Sequence, residues 1–145
     1  MNARDLYSDV VREHSLSAHN KHSLPHADVR IPGNNPSCGD EIELELMISD
    51  GIIRDGAFTG VGCAISQASV SIMIDLIRDK PVAQAKALAD TFLKMALRQP
   101  CTEEDLARLE DAAALQNVSN MPARVKCATM PWHTLLKAID AWQAA

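Results

Sequence analysis

The periodicity of the apolar residues changes once along the chain, and this change constrains the fold more than any other feature. Residues 41–48 alternate between apolar and more polar side chains, which is the pattern of a half-buried β-strand. The apolar positions are Ile42, Leu44, Leu46 and Ile48. Asp50 and Gly51 form a hairpin turn signal, so residues 52–62 are expected to return as a second strand with a bulge at Gly56.

From residue 63 onward the apolar spacing is helical. One helix is expected over residues 63–80, a second over 82–99 opened by Pro81, and a third from a capping box at 102–105 to about Leu115. A connector over 116–126 leads to a closing helix, in which Trp132, Leu135, Leu136 and Ile139 repeat at i, i+3, i+4 and i+7. A short helix on Leu6, Val10 and Val11 and a brief edge strand at Val29 and Ile31 precede the hairpin. The expected fold is α+β: a small antiparallel sheet of about three strands packed against several helices.

Length and charge narrow the classes of function. The 145 residues match the usual size of one domain, so residues 1–145 are expected to form a single domain. A formal net charge of -5 argues against nucleic-acid binding, which requires clustered Lys and Arg. No stretch has the length of a membrane-spanning helix, and residues 1–20 are too charged for a secretory signal. The expected location is the cytoplasm, without membrane attachment.

The four cysteines stand at positions 38, 63, 101 and 127, far apart and without a CxxC pair. Burial as small apolar residues is the ordinary expectation for each of them. Cys38, however, precedes a predicted strand, Cys63 begins the longest apolar helix, and Cys127 is expected directly before the closing helix. A helix N-terminus favours the thiolate, the form that binds metal or attacks sulfur. Cys101 follows a proline without a glycine-rich loop and is left out of the site.

Asp40 stands two residues after Cys38, so in extended backbone both side chains point to the same side. Three thiolates and one carboxylate are a plausible tetrahedral set for Zn²⁺. The C-x-D spacing alone is weak support, because it also arises by chance. On these grounds both a zinc site and unrelated buried thiols stay open.

Three motifs decide between these readings by resemblance. They are CGD at residues 38–40, GCAISQAS at 62–69 and PARVKCAT at 122–129. Together they closely resemble the IscU/SufU superfamily of iron–sulfur cluster assembly proteins, over almost the whole chain. Lys126 directly before Cys127 and the additional segment around residues 81–115 resemble the SufU branch, because scaffolds of the IscU type have His before the last cysteine and a shorter spacer.

The resemblance implies a zinc-dependent sulfurtransferase that accepts persulfide sulfur from a SufS-type cysteine desulfurase and passes it toward downstream Suf scaffold proteins. It implies zinc ligands at Cys38, Asp40, Cys63 and Cys127, with Cys38 as the sulfur acceptor. Two alternatives remain. One is a scaffold that holds a nascent [2Fe–2S] cluster, against which Lys126 argues because an ammonium group cannot ligate a cluster. The other is a non-catalytic, zinc-stabilised interaction module.

Several residues near these motifs have open roles. Arg124 and Lys126 are either solvated charges or groups that steer an anionic partner. Four histidines of a polar segment are expected to be solvated rather than metal ligands. They are His14, His19, His22 and His26. Residues 17–20 read SAHN where the superfamily usually has Asn-Pro-Arg-Asn, and Pro131 and His133 are also unusual for it.

Overall fold

The computed structural model describes residues 9–145, and the predicted α+β class is confirmed. The strands are β1 (Val29–Asn35), β2 (Asp40–Ser49) and β3 (Ile52–Val61). The α-helices are α1 (Asp9–Leu16), α2 (Ala64–Ile77), α3 (Val82–Ala96), α4 (Glu103–Arg108) and α5 (Pro122–Ala144), with 3₁₀ helices at Pro36–Cys38 and Glu110–Asn120. The first helix is predicted on Leu6, Val10 and Val11, and Leu6 lies outside the residues that the structure describes.

The three strands form one antiparallel sheet in the order β1-β2-β3. Asp50 and Gly51 both have positive φ, 55° and 72°, as a tight two-residue hairpin requires. The predicted bulge at Gly56 is wrong: the register shifts where Met47 pairs with Asp55 and Ile48 with Ile53. Gly56 lies close to α2 instead, since a Cβ there would stand 3.3 Å from Ile74.

The helices bury the apolar face of the sheet. Leu44 and Leu46 of β2 are fully buried, as the alternation predicted. The aromatic rings of Phe92 on α3 and Trp132 on α5 stack at 4.1 Å, and Trp132 Nε1 donates to Ser69 Oγ of α2 at 2.9 Å. This packing joins α2, α3 and α5, and α5 lies against the edge strand β1.

The segment before α5 differs from the prediction. The capping box at Thr102 and Asp105 is confirmed, but α4 ends at Arg108 instead of continuing to about Leu115. Glu110 takes a positive φ of 50°, which an α-helix of L-residues does not tolerate, and the chain continues as a 3₁₀ helix. Because α5 begins at Pro122, Cys127 lies inside that helix and not before it.

No helix in residues 9–145 is long and apolar enough to cross a membrane.

Candidate metal centre

The predicted ligands come from four separate segments that meet at one end of the sheet. Cys38 ends the 3₁₀ turn after β1, Asp40 begins β2, Cys63 is the N-cap of α2, and Cys127 lies in the second turn of α5. The ligand atoms of Cys38, Asp40 and Cys127 all lie within 4.8 Å of one another. The Cys63 thiol contacts Cys127 but is not part of that group of three.

Asp40 is the most heavily hydrogen-bonded member of the site and is only 1% exposed. Its Oδ1 accepts from the Cys63 backbone N–H at 2.9 Å and from Ser66 Oγ at 3.0 Å. Asn35 Nδ2 donates to Oδ2 at 3.2 Å. Burial raises the pKa of the Asp40 carboxyl, but the hydrogen bonds from the Cys63 amide and from the Cys127, Ser66 and Asn35 side chains outweigh burial and lower the pKa. Asp40 is therefore an ionised carboxylate.

Cys127 is fully buried. Burial raises the pKa of its thiol, and the adjoining side chains of Cys38, Asp40 and Cys63 raise it further. The expectation that a helix N-terminus favours the Cys127 thiolate is wrong, since the residue lies inside α5 and several electron-rich groups face it. Asn35 Nδ2 approaches both Cys127 Sγ, at 3.5 Å, and Asp40 Oδ2. Ionising this thiol therefore requires a nearby positive charge.

Cys38 is half-buried, which distinguishes it from Cys127. Its Sγ donates to the Ala123 carbonyl at 3.8 Å. The next residue, Gly39, has a φ of 68°, and a Cβ there would meet nothing within 4 Å. Open space and a glycine with positive φ give the Cys38 turn room to move.

The donors at this site fit a zinc ion. Zinc in proteins takes thiolate, imidazole and carboxylate ligands, and Cys38, Asp40, Cys63 and Cys127 offer three sulfurs and one ionised carboxylate. A divalent cation would also supply the positive charge that the buried Cys127 thiol lacks. Cys101 lies apart from these residues and lines a different surface groove.

A groove of about 500 Å³ opens beside the site between the end of β1 and α5. Its lining includes Ser37, next to Cys38, and three basic side chains at helical spacing on α5. These are Lys126, His133 and Lys137. Lys126 is exposed, whereas Arg124 is half-buried.

Sequence reasoning missed two residues of the site, Asn35 and Ser66. Asn35 stands five residues before Asp40, and Ser66 belongs to the GCAISQAS motif. Neither is a metal-ligand type, so only the tertiary contacts with Asp40 reveal them.

The histidines also depart from the prediction. His14 is buried and its Nδ1 lies 2.8 Å from Ser71 Oγ, so the expectation that it is solvated is wrong. His19 pairs with Asp75. His22 and His26 are exposed, as expected.

Comparisons with known proteins agree with this architecture. Residues 6–143 match the NifU-like N terminal domain. The chain is 38% identical to the zinc-dependent sulfurtransferase SufU of Bacillus subtilis (strain 168), covering 95% of this chain and 92% of that protein. It is 36% identical to the iron–sulfur cluster assembly scaffold protein IscU of Thermotoga maritima, covering 92% of each.

A solved structure is similar over nearly its whole length. It is a candidate iron–sulfur cluster assembly scaffold protein for the SUF system from Fervidobacterium islandicum AW-1, with a TM-score of 0.87, 33% identity, and coverage of 95% of this chain and 99% of that chain. The resemblance stated from the three motifs is thus confirmed, and the chain belongs to the NifU-like N terminal domain family within the IscU/SufU superfamily of iron–sulfur cluster assembly proteins.

Proposed function

We propose that this protein is a zinc-dependent sulfurtransferase of iron–sulfur cluster assembly, which accepts persulfide sulfur from a SufS-type cysteine desulfurase onto Cys38. The proposed zinc ligands are Cys38, Asp40, Cys63 and Cys127. The observation that carries the proposal is the approach of three ligand atoms to within 4.8 Å, with one thiol buried and one half-exposed. The name of the Bacillus subtilis relative supports the same role.

The transfer step is a thiol–disulfide type of exchange. The Cys38 thiolate attacks the terminal sulfur of the desulfurase persulfide, and a new S–S bond forms on Cys38. The S–S bond of the donor persulfide breaks, and its electron pair leaves with the donor cysteine as a thiolate. Cys38 then carries the persulfide, and no external oxidant or reductant is needed.

Each residue of the site has a separate part in this step. The Asp40 carboxylate is held in place at both oxygens, because Asn35 donates to Oδ2 and Ser66 donates to Oδ1. The half-buried position of Cys38 lets a partner's persulfide reach its sulfur, and Gly39 permits the turn to shift. When bound, zinc would keep the coordinated cysteines deprotonated at neutral pH.

The groove beside Ser37 favours a partner segment with negative charge. Lys126, His133 and Lys137 line it, and within residues 9–145 neither lysine has an ion pair with an acidic side chain. A cationic groove attracts an acidic surface and accelerates encounter. Its position one residue from Cys38 would bring such a partner to the acceptor thiol.

The test is alanine formation from cysteine by the cognate desulfurase, measured together with the zinc content of this protein. The wild type is expected to hold about one zinc per chain by the four-ligand count and to accelerate turnover. Cys38→Ala should abolish the acceleration, whereas Cys101→Ala, which alters a half-buried thiol in a different groove, should leave it unchanged. Equal acceleration by wild type and Cys38→Ala would contradict the proposal.

A cluster scaffold is the second candidate, because the Thermotoga maritima relative carries that name at 36% identity. Lys126 opposes this assignment, since its ammonium group has no lone pair for iron. Anaerobic reconstitution that yields a stable, transferable cluster on this protein would favour the scaffold. A non-catalytic zinc module predicts instead that Cys38→Ala loses stability and leaves desulfurase turnover unaffected.

A further inference from the structure

A second group of metal-ligand side chains lies away from the thiols, where α1 and the segment after it pack on α2. His14 belongs to α1, His19 follows that helix, and Asp75 lies near the C-terminal end of α2. Nε2 of His19 is 3.0 Å from Asp75 Oδ2, and Nε2 of His14 is 3.8 Å from the same oxygen. The three ligand atoms lie within 4.8 Å of one another.

In both imidazole rings, Nδ1 contacts a serine hydroxyl, while Nε2 faces Asp75. His14 Nδ1 lies 2.8 Å from Ser71 Oγ, and His19 Nδ1 contacts Ser17 Oγ at 2.5 Å. A hydrogen bond at one ring nitrogen fixes the ring orientation. Without metal, His19 Nε2 hydrogen-bonds to Asp75 Oδ2 at 3.0 Å and lies 3.1 Å from Asn20 Nδ2. A bound cation would therefore replace the proton on Nε2, while Nδ1 keeps its contact with the serine. The two Nε2 atoms are therefore already turned toward one carboxylate oxygen, as in a metal site with outer hydrogen bonds.

Asp75 divides its two oxygens between different neighbours. Oδ1 accepts from Arg78 Nη1 and from Asn20 Nδ2, each at 2.9 Å. Oδ2 faces the two histidines. Burial raises the pKa of the Asp75 carboxyl, but hydrogen bonds from Asn20, His19 and Arg78 lower it below its usual value. The carboxylate is thus ionised near neutral pH and has one oxygen directed at the imidazoles.

A small cavity adjoins the group and provides room for further ligands. Its volume is about 70 Å³, and its lining includes His14, Asp75, Glu110 and Asp111. That volume exceeds the roughly 10–15 Å³ that one water needs. Glu110 and Asp111 add negative charge that counters the positive charge of Arg78, although Glu110 Oε2 also lies 3.7 Å from a lysine, Lys80.

We propose that His14, His19 and Asp75 form a second site for a divalent transition-metal ion, with zinc as the probe and water from the cavity completing the coordination. Two imidazoles and one carboxylate are a ligand set that zinc accepts with an open position. The site does not depend on the sulfur-transfer proposal, because no residue is shared. Metal bound there would link the segment that carries His14 and His19 to α2.

The decisive variant is His19→Arg. Arginine cannot ligate a cation but retains a positive partner for Asp75, so the ion pair at this position persists while the ligand is lost. His19→Gln provides a second, uncharged variant in case arginine disturbs the local packing. The matched control is His22→Gln, which removes an exposed histidine of the same segment whose Nδ1 lies 3.1 Å from the Ser23 carbonyl.

The experiment is equilibrium dialysis of the purified full chain against Zn²⁺, with zinc counted above the content measured before addition. We expect one further ion per chain in the wild type and in His22→Gln, and an affinity about tenfold or more weaker in both His19 variants. Added zinc should also raise the Tm of the wild type, through binding to the folded state, but not that of His19→Arg.

Three results would overturn the proposal. They are no additional ion on the wild type, equal binding by His19→Arg and wild type, and an equal loss in His22→Gln. The last result would mean that zinc binds loop histidines without a defined site. Repeating the titration with Cys127→Ser separates the two sites, because the further ion must persist when the thiol site is disabled.

Discussion

The two groups of metal-ligand side chains differ in how the chain assembles them. The thiol site draws Cys38 and Cys127 from segments 89 positions apart in the sequence and buries Asp40 and Cys127 almost completely. In the histidine group, His19 and Asp75 keep 46% and 37% of their side chains exposed. Buried polar groups are costly without partners, whereas an exposed ion pair is nearly neutral in energy. We therefore expect substitutions of Asp40 and Cys127 to cost more stability than substitutions of His19 and Asp75.

The largest expected effect is the loss of zinc from Cys127→Ala. The residue is fully buried and its thiol adjoins the side chains of Cys38, Asp40 and Cys63. The substitution therefore removes the one sulfur that adjoins all three other proposed ligands. Metal analysis after purification should find zinc in wild type and in Cys101→Ala, and essentially none in Cys127→Ala. Full zinc occupancy of Cys127→Ala would show that the buried thiol is not part of the site.

Asp40→Asn should destabilise the metal-free protein. The carboxylate of Asp40 accepts hydrogen bonds from three donors, the Cys63 N–H, Ser66 Oγ and Asn35 Nδ2. In the variant, the amide NH₂ group replaces one accepting oxygen, so a buried donor is left without an acceptor. The expected loss is about 1–3 kcal/mol in the free energy of unfolding. Denaturant unfolding in the presence of chelator measures it, with Asp140→Asn on the exposed side of α5 as control. Equal losses in the two variants would remove the special role of Asp40.

Alanine substitutions at two glycines near the thiols distinguish the effect of steric crowding from that of backbone strain. A Cβ at Gly62 would overlap Ser66 Oγ and stand 2.8 Å from Asp40 Oδ1, so Gly62→Ala should cost about 1–3 kcal/mol and weaken zinc binding. Gly39→Ala meets no atom within 4 Å, and its φ of 68° costs about 1–2 kcal/mol. Zinc titration should find the weaker affinity in Gly62→Ala, and the reverse order would contradict the described packing.

The smallest effect is expected at the exposed group, in Asp75→Asn. Because hydrogen bonds lower the folded-state pKa of Asp75 below the usual 3.8, the carboxylate contributes stability above that value and loses it as the pH falls through the folded pKa. The difference in unfolding free energy between wild type and variant should be about 1 kcal/mol or less at pH 7 and vanish well below pH 4. Unfolding curves in chelator across this range measure it, and a difference that grows toward acid pH would contradict the assignment.

The parts of the fold that could be predicted are those encoded locally. The alternation over residues 41–48 and the turn at Asp50 and Gly51 specify the hairpin. In a strand, successive side chains point to opposite faces of the sheet, so the sequence position of a residue determines its face. Cys63 was correctly placed at a helix start. The predicted connector over 116–126 makes the closing helix too short, because Pro122 occupies a first-turn position that proline favours and the helix begins there.

Other features depend on tertiary contacts that no local pattern shows. The positive φ of Glu110 ends the predicted third helix early, and nothing in its neighbours signals it. The position of His14 against Ser71, 57 residues away, turned a residue predicted to be solvated into a buried one. Likewise, Asn35 and Ser66 acquire their place at the site only because β1, β2 and α2 meet there.

The measurement that tests sulfur acceptance most directly is peptide mapping by mass spectrometry after incubation with the desulfurase and cysteine. Persulfides are alkylated before digestion, so that each added sulfur atom stays on its peptide. We predict added sulfur on Cys38 and none on Cys101. Added sulfur on Cys101, or accelerated desulfurase turnover with unmodified Cys38, would contradict the account.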